Sequence, residues 1–172
     1  MRRIGIIAVL SLIVTALAAV PALAVPATTV TQTGGLHVCQ GSALDVTADK
    51  TDGAILTATG EVCGAGPTAA AELTSTALVT VGCVTPSGSN EPKGLQTSAQ
   101  TVVGSETFQT RAGRGAFNFQ TTAVGIPAEF DCPSANMEET LVSVTFTNIK
   151  LTITSAGKEI TAKFPDIGPV SP

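Results

Sequence analysis

The feature that most constrains this chain is an alternation of apolar and hydroxyl-bearing residues with a period of two. It is clearest from Ala71 to Cys83. There Leu73, Ser75, Ala77, Val79, Val81 and Cys83 share one parity, and Glu72, Thr74, Thr76 and Thr80 share the other. Successive side chains on a strand point to opposite faces, so this segment fits a half-buried strand. The Ala run at 69–71 would suit a helix, but dense Thr on both sides opposes one.

A second long segment, Thr140 to Thr154, carries the same alternation with one break. Val142, Val144 and Phe146 share one parity, whereas Ile149, Leu151 and Ile153 share the other. A one-residue slip sends every following side chain to the opposite face, so an uninterrupted strand cannot bury both sets. The spacing predicts a β-bulge near Thr147-Asn148, or a strand that leaves one sheet for another.

Shorter stretches read as strands at Leu36–Gln40, Ala43–Ala48, Ala54–Cys63, Thr97–Thr110, Gly115–Val124 and Glu159–Phe164. Turn signals separate them: Thr51-Asp52-Gly53, Gly64-Ala65-Gly66-Pro67, a polar loop over 85–96, Arg111-Ala112-Gly113-Arg114-Gly115 and Ala156-Gly157-Lys158. Val102 and Phe108 face one way on one arm of the Arg111–Gly115 turn, and Phe117 with Phe119 share a face on the other. No fixed-period repeat and no long amphipathic helix is present. The expected fold is all-β: an antiparallel β-sandwich or Greek-key barrel of about eight or nine strands.

The first 24 residues stand outside that pattern. Arg2 and Arg3 precede an apolar run from Ile4 to Val20, then Pro21 and the small-residue site Ala22-Leu23-Ala24. This is the layout of a cleavable secretory signal peptide, and Pro21 before the site argues against an uncleaved anchor. Leu36-His37-Val38-Cys39 superficially resembles a lipid-attachment motif, but it lies well beyond the apolar run and has the wrong residues beside the Cys. No apolar stretch near the C-terminus offers a tail anchor. The expected organisation is a signal peptide at 1–24, a flexible lead-in at 25–35, one β domain at 36–165 and a loose tail at 166–172. The expected location is extracellular, with no membrane association after cleavage. A composition rich in Ala, Thr, Val and Gly and poor in Lys resembles exported bacterial proteins.

Four cysteines, Cys39, Cys63, Cys83 and Cys132, follow the leader. An even number in an exported chain points to two disulfides. Three pairings are possible, and the placement of each Cys at a strand end favours Cys39–Cys63 with Cys83–Cys132. No Cys-x-x-Cys pair suggests zinc.

Composition then narrows function. Only 13% of residues are charged, against about 25% in an ordinary soluble domain. The formal charge is −4, and becomes −6 once Arg2 and Arg3 are removed, so nucleic acid is not an expected partner. Arg111 and Arg114 are an isolated pair in a turn. The single His37 lies beside a Cys, in no nucleophile-elbow context. Candidate acids for glycoside hydrolysis are Glu129, Asp131, Glu138 and Glu139. Sugar faces usually stack on Trp or Tyr, and this chain has neither. Asp45, Asp49 and Asp52 could offer oxygens to calcium, but Lys50 intrudes and no Glu closes the set. An ice-binding Thr array would require regular repeats, which are absent.

One loop merits a functional reading. Cys132-Pro133-Ser134-Ala135-Asn136-Met137 combines a disulfide Cys with a Pro, which stiffens a loop before it binds. It resembles the Cys-Pro segment of the subtilisin-inhibitor type of exported bacterial inhibitor, over residues 132–137 only. The other cysteines lack that family's closely spaced first pair, so no reactive bond is carried over. The leading expectation is a secreted, non-enzymatic β-sandwich with a structural or binding role, partnered by an extracellular protein or a cell-surface component. Protease inhibition through Pro133, Ser134, Ala135, Asn136 and Met137 is the alternative, and a small secreted hydrolase the second. No cofactor and no metal is expected.

Overall fold

The computed structural model describes residues 24–49, 54–85 and 93–171. Residues 1–23, the Thr51-Asp52-Gly53 turn and most of the polar loop lie outside the described residues, so the signal-peptide reading is not addressed by it. The chain forms β1 (Val25–Pro26), β2 (Thr29–Gln32), β3 (His37–Val38), β4 (Asp45–Asp49), β5 (Ile55–Cys63), β6 (Thr68–Val84), β7 (Lys93–Gln109), β8 (Arg114–Gln120), β9 (Glu138–Ser155), β10 (Lys158–Lys163) and β11 (Ile167–Val170). Among the described residues all strand pairings are antiparallel and no helix occurs.

Two sheets form a sandwich. One runs β1–β4–β5, with β8 and β3 also paired to β5. Because β8 covers Thr57–Cys63 of β5, β3 and β4 lie end to end on the opposite edge. The other runs β2–β10–β9–β6–β7, and β11 continues the edge of β10 along β9. The inward parity of β6 is the one the alternation predicts: Leu73, Ser75, Ala77, Val79, Val81 and Cys83 are all buried. They meet Val46, Leu56, Ala58 and Val62 of the facing sheet in one core.

The parity break in β9 is a bulge. Thr74 pairs with Lys150 and Thr76 with Thr147, so Asn148 and Ile149 together oppose Ser75. Asn148 takes the left-handed conformation, with φ 53°, which Asn tolerates better than most residues. The extra residue restores the face, and Val144, Phe146, Ile149, Leu151 and Ile153 are all buried together. Ser75 Oγ donates to Thr147 O at 2.9 Å, which satisfies a hydroxyl otherwise stranded in the core.

The Arg111–Gly115 turn links the two sheets. Ala112 and Gly113 both have positive φ, as a two-residue primed turn needs. β7 belongs to one sheet and β8 to the other, so Phe108 meets Phe117 at 5.5 Å between ring centroids, and Phe117 meets Phe119 at 5.9 Å. β8 ends at Gln120, earlier than the expected Val124. Thr121 N donates to Leu56 O and Thr122 N to Val103 O, so this segment bonds alternately to both sheets. Gly104 permits the approach: a Cβ there would lie 2.3 Å from Gln120 O.

Among the described residues the strand total of 11 exceeds the expectation because both ends of the domain form strands. Residues 25–35, read as a loose lead-in, contribute β1 to one sheet and β2 to the other. Residues 166–172, read as a loose tail, contribute β11, with Ile167 opposite Phe146. Strands of two to four residues are too short to show a periodicity, and Pro26 and Pro169 read locally as strand breakers. Their order comes from sheet edges supplied by distant residues.

Candidate functional site

The disulfides are Cys39–Cys63 and Cys83–Cys132, with Cα–Cα distances of 5.1 and 5.9 Å. The first joins the residue after β3 to the end of β5. The second ties the loop before β9 to the end of β6. There is no free cysteine among the described residues.

The loop 132–137 is anchored at Cys132, and Met137 packs against the core. Pro133, Ser134, Ala135 and Asn136 are exposed between these anchors. Met137 N donates to Ser134 O at 2.9 Å, closing a turn. A protease cleft that reads substrate as an added strand takes an extended segment, and this turn departs from that shape.

The other sequence candidates are dispersed. His37 is exposed, with Nδ1 2.9 Å from Gly35 O. Glu138 and Glu139 are successive exposed strand residues and so point to opposite faces. Glu129 and Asp131 are exposed in the preceding loop. Asp45 and Asp49 lie on β4, and Asp52 is outside the described residues. Among the described residues no three His, Cys, Asp or Glu side chains gather as a metal site.

One charged cluster escaped sequence reasoning. Arg114, at the start of β8, grips Glu61 of β5 through both Nε and Nη2, the latter at 2.7 Å. Ser42 Oγ donates to the same carboxylate at 3.0 Å. The Arg114 hydrogen bond, then that from Ser42, lowers the Glu61 pKa from 4.5 to about 2. Glu61 raises the Arg114 pKa in turn. The only sequence signal was the chance of β5–β8 pairing, which no local pattern displays.

The outer face of the six-stranded sheet is rich in hydroxyls. Strand register aligns hydroxyls into rows that cross the strands. Thr31, Thr161, Thr152, Glu72 and Ser105 form one row. Thr147, Thr76 and Thr101 form another, and Ser143, Thr80 and Thr97 a third. Thr80 and Thr97 hydroxyls are 3.2 Å apart. Between Thr154 and Thr107 sits the small Ala70, and a shallow trough of ≈ 420 Å³ opens there. The pocket beside Phe130 and Ser98 has room for little more than water, at ≈ 40 Å³.

No protein-family model matches this chain, and no curated protein matches it.

Proposed function

We propose that the protein is an exported, non-enzymatic β-sandwich that binds an extracellular protein or cell-surface component through the outer face of its six-stranded sheet. The observation that carries this reading is the set of hydroxyl rows across β2, β10, β9, β6 and β7. Such rows offer donors and acceptors on a stiff frame, with few charges to desolvate. Two disulfides fit an oxidising, extracellular setting. The leader-like residues 1–24 support secretion and a mature start at Val25, which N-terminal sequencing of protein from the culture medium would test.

The binding test uses purified protein and envelope fractions of the producing cells. Thr76→Arg with Thr152→Arg, on the proposed face, is expected to abolish retention; Thr57→Arg, on the other sheet, is expected to keep it. Absent retention of the unaltered protein, or full retention of the face variant, would remove the reading. Protease inhibition is a second reading, supported by the exposure of Pro133–Asn136 beside a disulfide. Full protease activity at stoichiometric excess of the protein would remove it.

A further inference from the structure

Lys150 of β9 and Lys163 of β10 are direct cross-strand partners on the same outer face. Phe164 N donates to Ile149 O at 3.1 Å. In an antiparallel ladder the next pair, Lys150 and Lys163, is then the non-hydrogen-bonded kind, whose side chains stand closest. Like charges so placed destabilise a sheet. Neither ammonium has an ion-pair partner among the described residues. Two other basic groups are committed elsewhere: Arg114 holds Glu61, and Lys158 Nζ donates to Gly64 O at 2.9 Å. A net −6 for residues 25–172 makes this local doubling of positive charge harder to ascribe to general composition.

The pair borders a groove. β10 ends at Lys163 and β11 starts at Ile167, so the edge of β9 is left open beside the bulge. The opening is ≈ 380 Å³ and is lined by Asn148, Ile149, Lys150, Lys163, Phe164 and Asp166. Thr74 and Thr29 flank the lysines in the same cross-strand row. Glu72, diagonal to Lys150, and Asp166, on the groove wall, form no ion pair with either lysine.

We infer that Lys150 and Lys163 form a binding site for a phosphate dianion, free or as a monoester. The inference rests on the proposed reading of this face as the binding surface and names the ligand chemistry of one part of it. Two adjacent ammonium groups neutralise a doubly charged tetrahedral group, where a single carboxylate would balance only one of them. The Asn148 amide and the Thr29 hydroxyl can add hydrogen bonds, whereas the Thr74 hydroxyl already donates to Lys150 O. The carboxylate of Asp166, on the groove wall, repels anions on its side and so disfavours a long polyanion.

The test is an NMR titration of the disulfide-intact protein with inorganic phosphate and with glycerol 3-phosphate, chloride serving as the matched-ionic-strength control. Saturable shifts at Asn148, Lys150, Lys163 and Asp166 are expected. Lys150→Gln and Lys163→Gln should each weaken binding at least about fivefold, and Arg111→Gln should leave it unchanged. Tighter binding of the ester would assign the site to a phosphorylated molecule, and equal binding to the free ion. In phosphate-free buffer Lys163→Gln should raise Tm by relieving the like-charge contact, and phosphate should raise the Tm of the unaltered protein alone. Shifts that chloride reproduces, or that persist in both lysine variants, would overturn the inference. Flat phosphate titrations with intact envelope retention would sink the phosphate site and leave the face reading standing. Saturable phosphate binding without retention would do the reverse.

Discussion

At Asn148 a single backbone angle decides which face of a long strand is buried. Its φ of 53° is left-handed, and the side chain is exposed, so conformation can be separated from packing there. Asn148→Val should cost about 1–2 kcal/mol, because a β-branched residue resists that conformation. Asn148→Gly should be nearly neutral. Urea unfolding of both variants checks this, and an equal effect of the two would contradict the bulge account. Glu61 offers a second residue-level prediction. Its folded pKa, about 2, lies below the ordinary 4.5, so its contribution to stability is complete above pH 4.5 and fades as pH falls toward 2. Arg114→Gln should therefore destabilise at neutral pH, and the difference should vanish on acidification over that window. The pair is exposed, so salt should shrink the effect. Thermal unfolding across pH, with NMR titration of the Glu61 carboxyl, measures both. The bulge was legible in the sequence because it disrupts a local period. The ion pair was not, because its partners are 53 residues apart and meet only through strand pairing.

Among the elements, the long strands announced themselves and the short ones did not. β6 and β9 each carry enough alternation to define an inward face. β1, β2 and β11 carry none, and form because β4, β10 and β9 present open edges to them. The disulfide pairing was legible from strand ends, and its energetic ranking follows from loop length. The bridges close separations of 24 and 49 residues. Each should contribute roughly 2–4 kcal/mol, with the longer loop worth about 0.6 kcal/mol more by chain entropy. Comparing Cys39→Ala/Cys63→Ala with Cys83→Ala/Cys132→Ala in urea tests this ranking, and equal losses would refute it.

For the whole molecule, pairing is overwhelmingly between distant residues. β6 aligns Ala70 with Thr154, and β10 aligns Thr161 with Thr31. Closing such loops precedes any gain from them, so refolding with intact disulfides should take milliseconds to seconds. Stopped-flow circular dichroism suits a chain without Trp or Tyr, and completion within microseconds would contradict the prediction. The same distance dependence divides what could be known from each source. By itself the sequence determined the all-β class, the inward faces of the long strands except at Val142, which a second register shift opposite Thr80 and Val81 takes out of line, the need for a bulge and the two disulfides, because each rests on a local period or on residues at strand ends. The tertiary structure alone decided the hydroxyl rows, the Glu61–Arg114 grip, the ordered ends and the opposed Lys150 and Lys163. Thr residues irregular along the chain become aligned once five strands are set in register, since neighbours across a sheet are chosen by strand order and not by sequence spacing.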